Sequence, residues 1–275
     1  MTGANVPNSD AVSYAQPATV YWKAVYSGDT GNNGASSTCV LLTVKAAPAL
    51  ALVIAPNPVR AGSSATATAT LSAASSTAGG TVTYTVYTES SCATQISPAQ
   101  VSTKTVTNGV VPASTAFTIS TAGAVFLKAT YSGDAANNPA TGTCVPLTVS
   151  KATPTLTLVV TPTGGAGKAG STARGKGTLA GATSTAAGTA TYSVYSESSC
   201  TTVLPGTNNP STKTVKTRTV PTSARITINL AGTVYWKVVY AGDANNAAAV
   251  SPCVALAVAK ATPVLTLTSR QRSRR

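Results

Sequence analysis

Five cysteines, six carboxylates and no histidine define the chemistry open to this 275-residue chain. Without imidazole the usual general base, the base of a Ser-His-Asp triad and the commonest zinc ligand are all missing, which excludes most hydrolase and metalloenzyme mechanisms. The cysteines Cys39, Cys92, Cys144, Cys200 and Cys253 are separated by 53, 52, 56 and 53 residues. Spacing this uniform leaves pairing within or across neighbouring segments open. A catalytic thiol would lack its activating base. Five cysteines beside a single methionine point instead to disulfides and an oxidising compartment.

The remaining candidates are sparse. Glu89 and Glu197 each follow a tyrosine by two residues. A glycosidase-like pair needs two carboxylates about 5–10 Å apart; the simpler expectation is an ion pair from Glu89 to Lys128 and from Glu197 to Lys237, weak if exposed. Two Gly-Asp loops with trailing asparagines (Asp134, Asn137, Asn138; Asp243, Asn245, Asn246) offer oxygens to calcium. One carboxylate per loop falls short of the usual ligand set, and a side-chain-capped turn fits the composition better. A lysine–asparagine isopeptide bond beside an acid is made redundant by a disulfide staple. Trp22 and Trp236 alternate with Tyr21 and Tyr235, so one of each pair faces a core and the other, if exposed, is a stacking platform for a sugar. Lys213, Lys216 and Arg218, together with Lys168, Arg174, Lys176 and Arg225, supply a basic face for polyanions. Trp22, Trp236, Lys213, Lys216 and Arg218 are therefore the candidate ligand contacts. The Gly164–Gly167 run precedes no helical pattern and lacks a Gly-Lys-Ser/Thr ending, so it is no phosphate loop. No cofactor and no catalytic or metal-binding set is implied.

The elements that must position these residues are strands arranged in repeats. Three segments align: Tyr26-Ser27-Gly28-Asp29 leading to Cys39-Val40, Tyr131-Ser132-Gly133-Asp134 leading to Cys144-Val145, and Tyr240-Ala241-Gly242-Asp243 leading to Cys253-Val254. Their offsets of 105 and 109 residues match one sandwich-sized domain each. A second motif, Tyr-Xaa-Glu-Ser-Ser-Cys, ends at Cys92 and again at Cys200. The expected organisation is a truncated repeat over 1–45, complete repeats over 46–150 and 151–260, and the start of another over 261–275 that ends in a disordered basic tail. The linkers Lys45–Pro48, Lys151–Pro154 and Lys260–Pro263 are short and proline-bearing, which predicts a semi-rigid string.

Within the first complete repeat, period-two alternation predicts strands at Ala49–Ile54, Ala65–Leu71, Thr81–Tyr87, Val101–Val106, Ala116–Ser120, Val125–Tyr131 and Val145–Val149. In the second, Thr189–Tyr195, Lys213–Val220 and Val234–Tyr240 are the clearest. Turns are marked by Gly79-Gly80, Asn108-Gly109, Ala122-Gly123 and Ser132–Asp134. The fold class expected from this pattern is all-β, tandem antiparallel β-sandwiches with no helices of note. Repeat phase gives each complete repeat one cysteine after Tyr-Xaa-Glu-Ser-Ser and one before its last strand, predicting Cys92–Cys144 and Cys200–Cys253 with Cys39 unpaired. A simple strand assignment places Cys92 and Cys144 towards opposite sheet ends, so Thr88–Gln100 must double back.

The net charge of +13 is uneven. Residues 1–150 hold five basic and four acidic side chains; the remainder hold fourteen and two, with four arginines among the last six residues. That tail, short and without interleaved aromatics, is read as a solvated end. No apolar run approaches the ~18 residues of a membrane span. The N-terminus also lacks the basic and apolar regions of a signal peptide.

The segment Gly232–Asp243 and the matching runs ending at Asp29 and Asp134 resemble the bacterial immunoglobulin-like repeat domains (group 3 type) of surface and secreted adhesin-like proteins. The resemblance implies a non-enzymatic spacer or stalk, extracellular or at the cell surface. Its expected partners are neighbouring repeats and surface polysaccharide or a host-cell ligand, with no specific nucleic acid. The alternative is a carbohydrate- or polyanion-binding module. The strand start at Gly232–Tyr235 is similar to a tyrosine corner, which Tyr235 fits and Phe126, lacking the hydroxyl, does not. Neither inter-sheet strand carries the antibody cysteine.

Overall fold

The computed structural model describes residues 5–163 and 167–268. The Gly164–Gly167 run and the arginine tail therefore fall largely outside the described residues. Among those described, every regular element is a strand, and no helix is long and apolar enough to cross a membrane. The chain forms two compact units. One comprises residues up to Val59 with Ser64–Thr118 and Gly123–Val149; the other comprises Arg60–Ser63, Ile119–Ala122 and the residues from Ser150 onward.

The N-terminal segment contains β1 (Ala18–Trp22), β2 (Val25–Tyr26), β3 (Ala35–Ser36) and β4 (Val40–Val44), paired as β1–β4 and β2–β3. The first complete repeat contains β5 (Ala49–Ala55), β6 (Val59–Arg60), β7 (Ser63–Ser72), β8 (Thr81–Tyr87), β9 (Val101–Thr105), β10 (Phe117–Ile119), β11 (Gly123–Tyr131), β12 (Ala140–Thr141) and β13 (Val145–Ser150). The second contains β14 (Thr155–Thr163), β15 (Ser171–Ala180), β16 (Gly188–Tyr195), β17 (Ser211–Val215), β18 (Ile226–Ile228), β19 (Gly232–Tyr240), β20 (Ala249–Val250) and β21 (Val254–Val258).

In residues 46–150 one sheet runs β10-β7-β5 and the other β6-β13-β11-β8-β9. The second repeat follows the same plan, with β14-β15-β18 against β17-β16-β19 and β21 beside β19. Outside these strands, Lys168 and Ala259 form an isolated parallel bridge. This order, with β5, β7 and β10 (β14, β15 and β18) in one sheet and β8, β11 and β13 (β16, β19 and β21) in the other, is the immunoglobulin-like sandwich.

Alternation builds the cores. Val82, Tyr84 and Val86 are fully buried, as are Leu127, Ala129 and Leu147. Trp236 takes the phase of Leu127 and is also fully buried, while Gly175 and Gly177 stand where the first repeat has Ala67 and Ala69. A Cβ on Gly175 would lie 2.9 Å from the Tyr192 ring, so small residues on β15 make room for a bulkier core.

Two expectations are corrected. The strand expected over Lys213–Val220 stops at Val215, because Lys216 and Thr219 exchange backbone hydrogen bonds (3.2 and 2.8 Å) and close a tight turn. Tyr235 does not act as a corner tyrosine; it lies on the outer face opposite Tyr195. The sheet-bridging hydroxyl belongs to Tyr192, which donates to the Pro221 carbonyl (2.8 Å) and accepts from the Gly177 N–H (2.9 Å). Tyr84 does the same with Pro112 (2.9 Å) and Ala69 (3.2 Å).

Candidate functional site

Two polar clusters recur in residues 46–150 and again in residues 151–260, one at each end of the central strands. At the first, Asp134 follows β11. Its Oδ1 accepts the N–H groups of Ala136 (2.7 Å) and Asn137 (2.8 Å) and the Asn137 side-chain amide (2.8 Å). Its Oδ2 accepts the Gly79 N–H (2.6 Å) and the Tyr131 hydroxyl (3.2 Å). Asn137 is fully buried and receives the Ser75 N–H (2.8 Å) while donating to its hydroxyl (2.9 Å). Asp243 and Asn246 repeat this with Ala187, Tyr240 and Thr183. The Gly79 N–H and the asparagine hold the Asp134 carboxyl well below the usual range. For Asp243 burial pushes upward, but the Ala187, Asn246 and Asn245 donors outweigh it and hold the carboxyl at about 2. Burial, and then the facing carboxylate, raise Tyr131 and Tyr240 to about 12.

These oxygens already accept five donors, and the neighbouring amide nitrogens point inward as donors, the wrong polarity for a cation. The arrangement is a capped turn that ties two loops together. Asn138 contributes only its backbone, whose N–H donates to the Ala46 carbonyl (2.9 Å).

The second cluster surrounds the disulfide. After β8 the chain turns at Glu89, whose carbonyl accepts the Cys92 N–H (3.1 Å). The Glu89 carboxylate accepts the Thr88 hydroxyl and the N–H groups of Ala93 (2.9 Å) and Thr94. The segment then doubles back, with Ile96 donating to Val86 (3.2 Å). The two half-cystines meet because the strands are staggered: Leu127 on β11 faces Val86 on one side and Val145 on the other. The end of β8 therefore lies level with the start of β13. The Cα atoms of Cys92 and Cys144 are 6.2 Å apart, and those of Cys200 and Cys253 6.3 Å, within bonding range. Each bond joins the segments flanking one strand, the end of β8 and the start of β13 on either side of β11, and the end of β16 and the start of β21 on either side of β19. Cys39 is exposed and free.

The expected ion pairs do not form here, because backbone donors occupy the carboxylates. Lys128 instead donates to the Cys92 carbonyl (3.2 Å) and stands 5.0 Å over the Tyr87 ring. Lys237 donates to Cys200 (2.7 Å) and stands 4.7 Å over Tyr195. Glu197 caps the second turn through Ser196, Thr201 and Thr202. The Thr88 hydroxyl, then the Thr94 N–H, bring Glu89 down to about 2; Ser196 and then Thr202 do the same for Glu197.

Glu89 and Asp134 lie at opposite ends of the β8–β11 pair, since Tyr87 faces Phe126 and Val82 faces Tyr131. Five strand steps separate them, about 16 Å, too far for a two-carboxylate mechanism. A cleft of 250 Å³ beside Val194, Leu204, Asn209, Ile228 and Leu230 holds no acid.

Of the candidate contacts, Trp236 is corrected: it is fully buried and offers no surface. Trp22 is half-buried and donates to the Tyr14 hydroxyl (3.1 Å), while Tyr21 beside it is exposed. Lys213 is half-buried on β17; Lys216 and Arg218 are exposed on the turn that follows. The bridging roles of Tyr84 and Tyr192 escaped the sequence reading. Their signal was a tyrosine inside a buried alternation, whose hydroxyl must find a partner.

No protein-family model matches the sequence, and no curated protein matches it. Solved structures that resemble it include red sea bream transglutaminase (11% identity, TM-score 0.33), which covers 78% of this chain; the chain spans only 31% of that enzyme. Fibronectin(III)-like modules of Clostridium thermocellum CbhA match at 15% identity and TM-score 0.26, covering 80% of this chain and 100% of theirs. The Escherichia coli adhesin FdeC matches at 14% and 0.29, covering 90% and 87%. The assignment to an all-β, immunoglobulin-like sandwich rests on the strand order described above.

Proposed function

We propose that this chain is a non-enzymatic spacer from an array of immunoglobulin-like repeats, secreted or displayed at a cell surface. The observation that carries the reading is that each complete repeat spends its chemistry on itself. Asp134, Asp243, Glu89 and Glu197 are consumed by neighbouring backbone donors, and four of the five cysteines are bonded. The disulfides fit an oxidising compartment. A single residue, Lys45, stands between the end of β4 and Ala46, which already bridges to Asn137. Lys151 stands likewise between Ser150 and Ala152, bridged to Asn246. Connections this short suit a load-bearing string.

A second reading, weak polyanion binding, is favoured by the exposed Lys216 and Arg218 at one turn. The test is retention of the chain on glycan and sulfated-polysaccharide arrays, beside Lys213→Ala/Lys216→Ala/Arg218→Ala. The spacer reading expects neither protein to be retained at physiological salt. Retention that the triple variant abolishes would overturn it.

A further inference from the structure

We propose that Glu89 with Lys128, and Glu197 with Lys237, are positioning residues that shape each half-cystine turn before its sulfurs join, so that oxidation selects Cys92–Cys144 and Cys200–Cys253 over any bond to Cys39. The argument begins with what holds the turns. None of the contacts passes through sulfur: Cys92 N–H to the Glu89 carbonyl (3.1 Å), Ala93 N–H to the Glu89 carboxylate (2.9 Å), Thr88 N–H to the Thr94 carbonyl (3.0 Å), and Lys128 to the Cys92 carbonyl (3.2 Å). The same set surrounds Cys200, down to a positive φ of 52° at that residue against 50° at Cys92. A left-handed backbone at a cysteine is costly and persists only where the surroundings impose it. A carboxylate under the turn and an ammonium at its carbonyl do so through charge-assisted hydrogen bonds, the stronger kind. The opposite half-cystine is placed by strand register alone, Val145 facing Leu127 and Val254 facing Trp236.

Selection matters because a third cysteine competes. Cys39 sits in the phase of Cys144 and Cys253 and is exposed, yet the chain contains no third Tyr-Xaa-Glu-Ser-Ser-Cys turn to face it. In the closing step the Cys92 thiolate attacks the Cys144 sulfur of a mixed disulfide with glutathione. The new S–S bond forms as the glutathione thiolate leaves. Overall, two protein thiols give up two protons and two electrons, and one glutathione disulfide is reduced to two thiols. A preformed turn raises the effective concentration of the correct pair without touching the chemistry.

The test uses the full chain, reduced and then reoxidised in a glutathione redox buffer. Free thiols are blocked at intervals and the pairings mapped by peptide mass spectrometry. In Lys128→Met, closure of Cys92–Cys144 is expected to slow about tenfold or more, the loss of one such hydrogen bond. Bonds to Cys39 should appear, while Cys200–Cys253 in the same molecules keeps its rate. Lys128→Arg should restore the first rate, and Lys237→Met should move the defect to the second repeat. Glu89→Gln, which keeps an acceptor oxygen but loses the charge, should give a smaller slowing of Cys92–Cys144 alone, and guards against a Lys128→Met repeat that fails to fold. An unchanged Cys92–Cys144 rate in both variants, or equal slowing of both disulfides, would overturn the proposal.

Discussion

Trp236 and Leu127 occupy one position in two copies of a fold, and the difference shows what a single side chain does here. The indole fills the interior of the second repeat, its Nε1–H without a hydrogen-bond partner among the described residues, so its contribution is area and shape. Trp236→Ala is expected to destabilise the second repeat by about 3–5 kcal/mol, through lost burial and the cavity left behind. Trp236→Phe should cost less, because it removes the unpaired donor along with part of the ring. Denaturant unfolding followed by far-UV circular dichroism measures both. Alternation of Tyr235 and Trp236 already said that one faces inward; the buried phase of Val234, Val238 and Tyr240, with Lys237 in the phase of Tyr235, decides which. The room that Gly175 leaves for the Tyr192 ring comes from a strand far away in sequence, and packing of that kind leaves no local mark.

At the scale of elements, the two turns that follow β9 and β17 compare the same geometry built from different residues. Asn108 and Gly109 hold φ values of 49° and 73°; Thr217 and Arg218 hold 44° and 62° in the corresponding places. A two-residue turn of this hand favours Asn-Gly and penalises a β-branched residue. Thr217→Asn/Arg218→Gly should therefore stabilise the second repeat by about 1–2 kcal/mol. An unchanged unfolding midpoint would show that the turn is not strained. The comparison also explains what could be read from the chain. Strands with clean alternation, such as Thr81–Tyr87, were legible to the residue, and Asn108-Gly109 announced its turn. Thr217-Arg218 announces nothing, so a strand was expected to run through it; repeat phase with Asn108-Gly109 held the missing signal. The disulfide partners were legible from phase, but the stagger that brings them level was not, since register is set by pairing across the sheet. The fate of Glu89 was likewise hidden: a lysine in the right repeat suggested an ion pair, whereas the tighter partners are backbone N–H groups created by the turn itself.

For the whole molecule, stability should follow from staples and carboxylates. Each disulfide closes a loop of about 50 residues and is worth roughly 3–4 kcal/mol in the entropic account, so reduction should lower the calorimetric Tm; an unaltered Tm would remove the disulfides from the account. The pH profile follows from the acids. Glu89, Glu197, Asp243 and Asp29 are each held at about 2, below their unfolded values, and Asp134 is held lower still. A carboxylate depressed on folding stabilises fully above its unfolded pKa of about 4, and that stabilisation is lost as pH falls through the folded value. Tyr131 and Tyr240, raised to about 12, behave in the opposite sense: their contribution is complete below about 10 and lost as pH rises towards 12. With no histidine to titrate between these limits, the urea midpoint should be nearly flat from about pH 5 to 9 and fall steeply from pH 4 to 2. Asp243→Asn should lower the midpoint at pH 7, because one accepting oxygen becomes a donor facing the Ala187 N–H, and should flatten the acid limb of the second repeat. A variant that kept the full acid limb would place the titrating group elsewhere.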